Sequence, residues 1–160
     1  MENEVYKLLD ELNIEYTKIE HPALFTCEDN KKYNIEFDAV VCKNLFIRNK
    51  NKSQYYVVAL PLEKKADLKL LQEQLGETRL SFGNEDILEE KFGVKSGSVS
   101  IFNVINLKEK DIIFILDENI LKCEKVGFHP NVNTATVTFK PKELHKIFEH
   151  YDVEYRFIAI

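Results

Sequence analysis

Three short stretches of the chain carry side chains that could do chemistry. The first is Lys43-Asn44, a cation beside a neutral amide, which follows the apolar run 39-AVVC-42 and opens a β-rich segment. A lysine at a strand mouth has two readings. It is a snorkelling side chain with its head in water, or a cation held near a phosphate or carbonyl, with Asn44 as a hydrogen-bonding neighbour. The second stretch is 127-GFHPNVNTATVTF-139, where one imidazole, His129, precedes Pro130 and is followed by Asn131, Asn133 and Thr134. Pro and Asn are ordinary turn formers, but the same small polar groups can also orient a small polar ligand. The third is 97-GSVS-100, where Gly97 and Ser98 offer turn N–H groups suited to an oxyanion or phosphate; Gly-Ser turns are also common without any ligand.

The familiar catalytic signatures are missing. No GxSxG, GxxxxGKS, HExxH or strand-following GxGxxG is present. His145 and His150 lie five apart, off the i, i+4 spacing of a metal pair, and His21 stands apart from both. Cys27, Cys42 and Cys123 are odd in number, widely spaced and without CxxC, which argues against a disulfide framework or zinc site and suits a reducing cytosol. We therefore expect no metal and no cofactor. The N-terminus is acidic and amphipathic, unlike a signal or transit peptide, and no apolar run approaches the ~20 residues that span a bilayer. A cytoplasmic protein without a membrane partner is expected.

The elements that must position these residues are legible from periodicity and caps. Val5, Leu8, Leu9 and Leu12 mark a helix over residues 2–13. A strand is expected near Tyr16–Glu20, then a short helix capped by Thr26 with Asp29 in the capping-box place. The run 44-NLFIRNKNKSQYYVVAL-60 reads as a hairpin around Asn49–Ser53. Asp67 and Gly76 bound one helix, Asn84 and Gly93 another. Strands follow near 112–116, 125–128 and 134–140. Pro141 then opens a last amphipathic helix, and 155-YRFI-158 closes the chain as a strand. Without a regular βαβ rhythm this predicts an α+β fold: one domain over residues 1–160, with a mixed, largely antiparallel sheet flanked by helices.

Charge is unevenly spread. The chain carries a formal −5, yet Ala39–Leu62 holds no acid and four cations (Lys43, Arg48, Lys50, Lys52), and Lys125–Lys142 holds no acid and three (Lys125, Lys140, Lys142). Two acid-free windows in an acidic protein predict a local anion-binding face.

Several motifs together resemble a known family. The segments 43-KNLFI-47, 57-VVALPLEKKADLKLLQEQLG-76, 79-RLSF-82, 89-EEKFGVKSGSVS-100 and 129-HPNVNTATV-137 look like the YbaK/prolyl-tRNA-synthetase-associated editing domains, nearest the free-standing ProXp-ala (PrdX-like) branch. The likeness runs from His21-Pro22 and Thr26 to the last helix. It implies a deacylase that hydrolyses alanine wrongly attached to proline tRNA, since binding alone discriminates poorly against a smaller substrate. It further implies water attack on the aminoacyl ester, helped by the terminal ribose hydroxyl and without a protein nucleophile. Lys43 and Asn44 take the catalytic place at the aminoacyl-adenosine end, and His129 the wall of the amino-acid pocket. Thr26, Gly97, Ser98, Pro130, Asn131 and Thr134 complete the substrate site, the turn at Gly97 holding the terminal nucleotide. The acceptor end of mischarged tRNA is the implied partner, with prolyl-tRNA synthetase the candidate protein partner. The family turn commonly reads Gly-x-x-x-Pro, and here Ile101 replaces the Pro, removing its preset φ. Two other readings stand beside this one: a deacylase for another small aminoacyl group, Cys or Ser, and a non-catalytic module binding aminoacyl-tRNA or an amino acid for regulation.

Overall fold

The computed structural model describes residues 2–22, 39–94, 99–132 and 134–160; the helix expected after Thr26, the turn residues Gly97 and Ser98, and Cys27 and Asn133 lie outside them. The β-rich runs form β1 (Tyr16–Glu20), β2 (Val40–Asn49), β3 (Tyr55–Pro61), β4 (Leu80–Phe82), β5 (Ile112–Asp117), β6 (Val126–Phe128), β7 (Ala135–Phe139) and β8 (Tyr155–Ile158). The helices are α1 (Glu2–Glu11), α2 (Leu68–Leu75), α3 (Glu85–Phe92) and α4 (Leu144–Tyr151). The strands join in one sheet of order β1-β7-β6-β2-β3-β5-β8, with β4 added on β2. Four pairings are antiparallel (β1–β7, β7–β6, β2–β3, β2–β4) and three parallel (β6–β2, β3–β5, β5–β8). This is the mixed α+β architecture expected. Among the described residues no helix is long and apolar enough to cross a membrane.

Strand β2 is the joint of the sheet. One edge pairs with β3 from Cys42 to Arg48. The other edge pairs with β6 at Val40 and Val41, and with β4 from Ile47 to Asn49. Among the described strands nothing pairs with that edge between these two contacts, so the backbone around Asn44 borders an opening in the sheet.

Side-chain alternation along each strand sorts the apolar residues into two layers. Cys42, Phe46, Val57, Phe114, Phe128 and Val137 point to one face, where α1, α3 and α4 cover them with Val5, Leu9, Leu88, Phe92, Ile147 and Phe148. Phe128 stacks on Phe139 with ring centroids 5.9 Å apart, and Phe102 meets both edge-on. Truncating such a residue costs about 3–5 kcal/mol, so this aromatic cluster is a firm base for the end of β6. On the opposite face Ile47, Val58, Leu60 and Ile115 are covered by Leu71 of α2. The rest of that face carries small residues instead: Gly127 of β6 beside Thr136 and Thr138 of β7 and Val41 of β2.

Local chemistry sets the helix bounds. The Asp67 carboxylate accepts from the N–H groups of Lys69 and Leu70, and Gly76 ends α2 in the left-handed region at φ 69°. Asn84 caps α3, and Gly93 ends it at φ 70°. Two elements depart from the expected pattern. Leu80–Phe82 is a short strand, held on β2 and by the Leu80 N–H donating to Gln72 Oε1 at 3.0 Å. The apolar segment Ile101–Asn106 winds into a 3₁₀ helix.

Candidate active site

The parallel pairing of β2 with β6 decides which candidates meet. Val41 lies opposite Gly127, so the next residues on that face are Lys43 and His129, one rung further along adjacent strands. The same alternation carries Thr136 and Thr138 of β7 onto this face, with Gly127 opposite Thr138. A Cβ on Gly127 would stand 3.1 Å from the Thr136 methyl and 3.4 Å from the Val41 methyl, so the floor beneath Lys43 and His129 is already close-packed. Among the described residues Lys43 makes no ion pair and is half-buried.

His129 is fixed as a particular tautomer. Its Nδ1 lies 3.1 Å from the Ala135 carbonyl oxygen. A carbonyl only accepts, so Nδ1 carries the proton and Nε2 keeps its lone pair. Burial pushes the His129 pKa below its ordinary value; proximity of His21 pushes the same way, and the bond to Ala135 opposes both. The ring is thus held neutral as a hydrogen-bond acceptor. Its neighbour His21 stands edge-on, ring centroids 6.1 Å apart. His21 Nδ1 donates to the Pro22 carbonyl at 2.8 Å, and its Nε2 is hydrogen-bonded to the Thr136 hydroxyl at 2.9 Å. The His21 N–H also donates to the Thr134 carbonyl, extending β1 past its last rung.

A buried polar network holds the loop that presents His129. The Ser100 hydroxyl donates to the His129 carbonyl at 2.7 Å and accepts from the Phe102 N–H at 3.2 Å. Asn103 accepts from the Ser100 N–H and donates from Nδ2 to Asn131 Oδ1 at 2.7 Å. Asn131 in turn donates to the Phe102 carbonyl at 3.2 Å, and its φ of 63° is a left-handed conformation that asparagine tolerates. The 3₁₀ helix and the His129 loop are locked together.

Measured against the sequence expectations, the register of β2 and β6 places Lys43 and His129 on one sheet face, with Pro130 buried next to His129 in the chain and Thr134 exposed. Two residues are placed otherwise. Each end of the Asn131 amide carries one of these bonds, to Asn103 and to Phe102, so Asn131 helps to position the loop. Asn44 follows Lys43 on a regular strand, so its side chain points to the opposite face, with Phe46; it is not a side-by-side partner of Lys43. Its Oδ1 is buried and has no hydrogen-bond partner among the described residues. Thr26, Gly97 and Ser98 lie outside the described residues.

His21, Ser100, Asn103, Thr136 and Thr138 are additions that reading the sequence for single motifs overlooks. Two signals for them were present: both site histidines precede a proline, and Thr134, Thr136 and Thr138 recur with the period of one strand face. A cysteine nucleophile finds no support among the described residues. Burial raises the thiol pKa of Cys42, and likewise of Cys123, keeping both protonated at neutral pH. Among the described residues no three His, Cys, Asp or Glu side chains cluster as a metal site.

Comparison with known proteins relates the chain to a family. The family model for the aminoacyl-tRNA editing domain matches residues 21–147. The chain is 40% identical over 139 residues to the prolyl-tRNA editing protein ProX of Acetoanaerobium sticklandii, covering 87% of this chain and 85% of that one. It is 31% identical over 144 residues to the prolyl-tRNA synthetase associated domain-containing protein 1 of Mus musculus, covering 88% and 85%. Among solved structures, a candidate trans-editing enzyme for prolyl tRNA synthetase superposes with a TM-score of 0.72 at 16% identity, covering 99% of this chain and 96% of that one. That last likeness concerns the fold alone.

Proposed function

The chain belongs to the aminoacyl-tRNA editing domain family, and on that premise we propose that it is a trans-acting deacylase which hydrolyses a small amino acid, alanine first, from proline tRNA. The observation that supports the reading is the β2–β6 register, which sets a cation and a neutral imidazole on the sheet face whose floor is Gly127 and threonine. An aminoacyl ester needs each part. The Lys43 ammonium is suited to stabilise negative charge growing on the ester carbonyl oxygen as water adds. The lone pair on His129 Nε2 is suited to accept from the substrate α-amino group and so fix the side chain against the floor. Water supplies the hydroxyl, the terminal ribose oxygen leaves with the proton, and the products are the free amino acid and an intact tRNA 3′ end. No step calls for a covalent enzyme intermediate. Prolyl-tRNA synthetase, whose mischarging would supply the substrate, is the candidate protein partner.

Size exclusion would supply the selectivity. Forcing a larger group into a packed site costs about 1–3 kcal/mol, roughly a 5- to 150-fold preference for alanine over proline. The test is deacylation of Ala-, Cys-, Ser- and Pro-tRNA(Pro) by the purified protein. The expected order places Ala first and Pro last. Fastest release of Cys or Ser would reassign the substrate within the same chemistry, and binding without any release would make the chain a recognition module.

A further inference from the structure

The atoms nearest to a Cβ built on Gly127 are three methyl carbons: Thr136 Cγ2 at 3.1 Å, Val41 Cγ2 at 3.4 Å and Thr138 Cγ2 at 3.5 Å. Both threonines present their methyl to the floor, not their hydroxyl. A threonine hydroxyl and methyl differ little in size, and a change of staggered rotamer exchanges their places, so packing by itself hardly chooses between them. For Thr136 a hydrogen bond does. Its Oγ1 lies 2.9 Å from His21 Nε2, and Thr136 has no exposed surface, so bulk water does not compete for the hydroxyl. His21 is itself held from three sides. Its N–H donates to the Thr134 carbonyl at 3.0 Å, fastening its backbone to β7 one step beyond the Glu20–Ala135 rung. Its Nδ1 donates to the Pro22 carbonyl at 2.8 Å, and its ring stands edge-on to His129.

We propose that His21 is a positioning residue that sets specificity: by keeping the Thr136 hydroxyl on its Nε2, it keeps the floor a surface of methyl groups. Such a floor accepts the methyl of an alanyl ester and leaves the hydroxyl of a seryl ester without a partner. The proposal rests on the deacylase reading, which sets the substrate side chain against this floor. It adds a selectivity that size exclusion does not supply, since serine differs from alanine by a single oxygen. A buried hydroxyl is penalised only where nothing bonds to it, and an apolar surface rejects an added hydroxyl by up to about 10²-fold. Turned about its Cα–Cβ bond, Thr136 would offer Oγ1 to that same hydroxyl, and the discrimination would be lost.

Two measurements separate this proposal from the reading it rests on. The first needs no ligand: NMR three-bond couplings from the Thr136 methyl carbon to its backbone nitrogen and carbonyl carbon report χ1. Wild type should show one rotamer. His21→Phe, which keeps an aromatic ring without its nitrogens, should show averaging between rotamers; His21→Leu serves the same purpose if the larger ring is not accommodated. The second measurement is the affinity, by fluorescence anisotropy, for acceptor-stem microhelices of proline tRNA that carry alanine or serine on a 3′-amide, a linkage that resists hydrolysis. Wild type should prefer the alanyl form by on the order of 10- to 100-fold. His21→Phe should bring the two forms within about threefold of each other. Thr136→Val alone should keep the preference, having no hydroxyl to present, and Thr136→Val added to His21→Phe should restore it. A merely structural role for His21 predicts no such rescue. A single, unchanged Thr136 rotamer in His21→Phe, or a double variant without restored preference, overturns the proposal even if the protein deacylates tRNA efficiently. A wild type that binds neither amide overturns the deacylase reading, and the selectivity with it, whatever the rotamer does.

Discussion

At the scale of single residues, His129 and Lys43 have separable tasks. A wall and acceptor at His129 should influence which amino acid is chosen more than whether any is released. His129→Ala is therefore expected to lower the Ala/Pro ratio of kcat/KM while part of the activity survives. A general base would behave differently, its loss reducing every substrate alike by about 10²–10⁴-fold, and a uniform collapse with an unchanged ratio would make His129 the catalytic centre. Lys43→Ala should lower kcat/KM at least tenfold, about 1.4 kcal/mol of transition-state stabilisation, with little effect on melting, since a half-buried lysine contributes little to the core. The burial of His129 adds a pH prediction. Its folded pKa lies below the ordinary value of 6.5, so the folded state favours the neutral ring and the unfolded chain takes up the proton first. The associated stability is present above about pH 6.5 and is lost as pH falls through the folded pKa. Melting temperatures between pH 7.5 and 5 should fall more steeply for wild type than for His129→Gln; parallel curves would show that His129 does not titrate as described.

At the scale of elements, legibility followed how local the determining contacts are. The bounds of α2 and α3 were readable because Asp67, Gly76, Asn84 and Gly93 fix them within a few residues of chain. Strand β4 was not, because three residues become a strand only by pairing with β2, far away in the chain. The 3₁₀ helix at Ile101–Asn106 lacks a helical apolar period, although Ser100 with Asn103 three residues on is the outline of a capping box. The meeting of Lys43 with His129 depends on the parallel register of β2 and β6, and nothing in either strand announces it. The 3₁₀ helix matters to the site through Ser100, whose hydroxyl both caps that helix and holds the His129 carbonyl. Losing a cap costs about 0.5–2 kcal/mol, so Ser100→Ala should destabilise the fold by about that much. It should also loosen His129 and lower the Ala/Pro selectivity beyond what the stability loss explains. Ser100→Thr keeps the hydroxyl and should retain selectivity if the larger side chain is accommodated. A Ser100→Ala protein that melts lower but discriminates as before would reduce this network to a purely structural role.

Over the whole molecule, the acid-free windows turn out to be neighbours. The first supplies β2 and β3, the second β6 and β7, and in the sheet these four run consecutively as β7-β6-β2-β3. Part of their lack of carboxylates is simply the cost of burying charge in central strands, a cause that composition alone does not separate from an anion-binding face. The remaining cations fall into two groups on either side of Lys43. Lys125, Lys140 and Lys142 lie where β6 begins and β7 ends; Arg48 lies near the end of β2 and Lys50 and Lys52 in the turn that follows it, about 30 Å away at the usual rise along a strand. An acceptor helix anchored at Lys43 can run toward only one of them. The exposed Phe82 of β4 stands at the turn end of β2, so an acceptor strand laid along that end would pass Lys50 and Lys52. The affinity of an uncharged acceptor-stem microhelix of proline tRNA should fall with rising salt as counterions are released, with a shallow slope on the order of two to four contacts. Lys50→Glu with Lys52→Glu should weaken binding at low salt and reduce that slope by about 2, whereas Lys140→Glu with Lys142→Glu should change it much less. The reverse ranking would send the acceptor helix over the β6–β7 end, and a salt-independent affinity would remove phosphate contacts from either face.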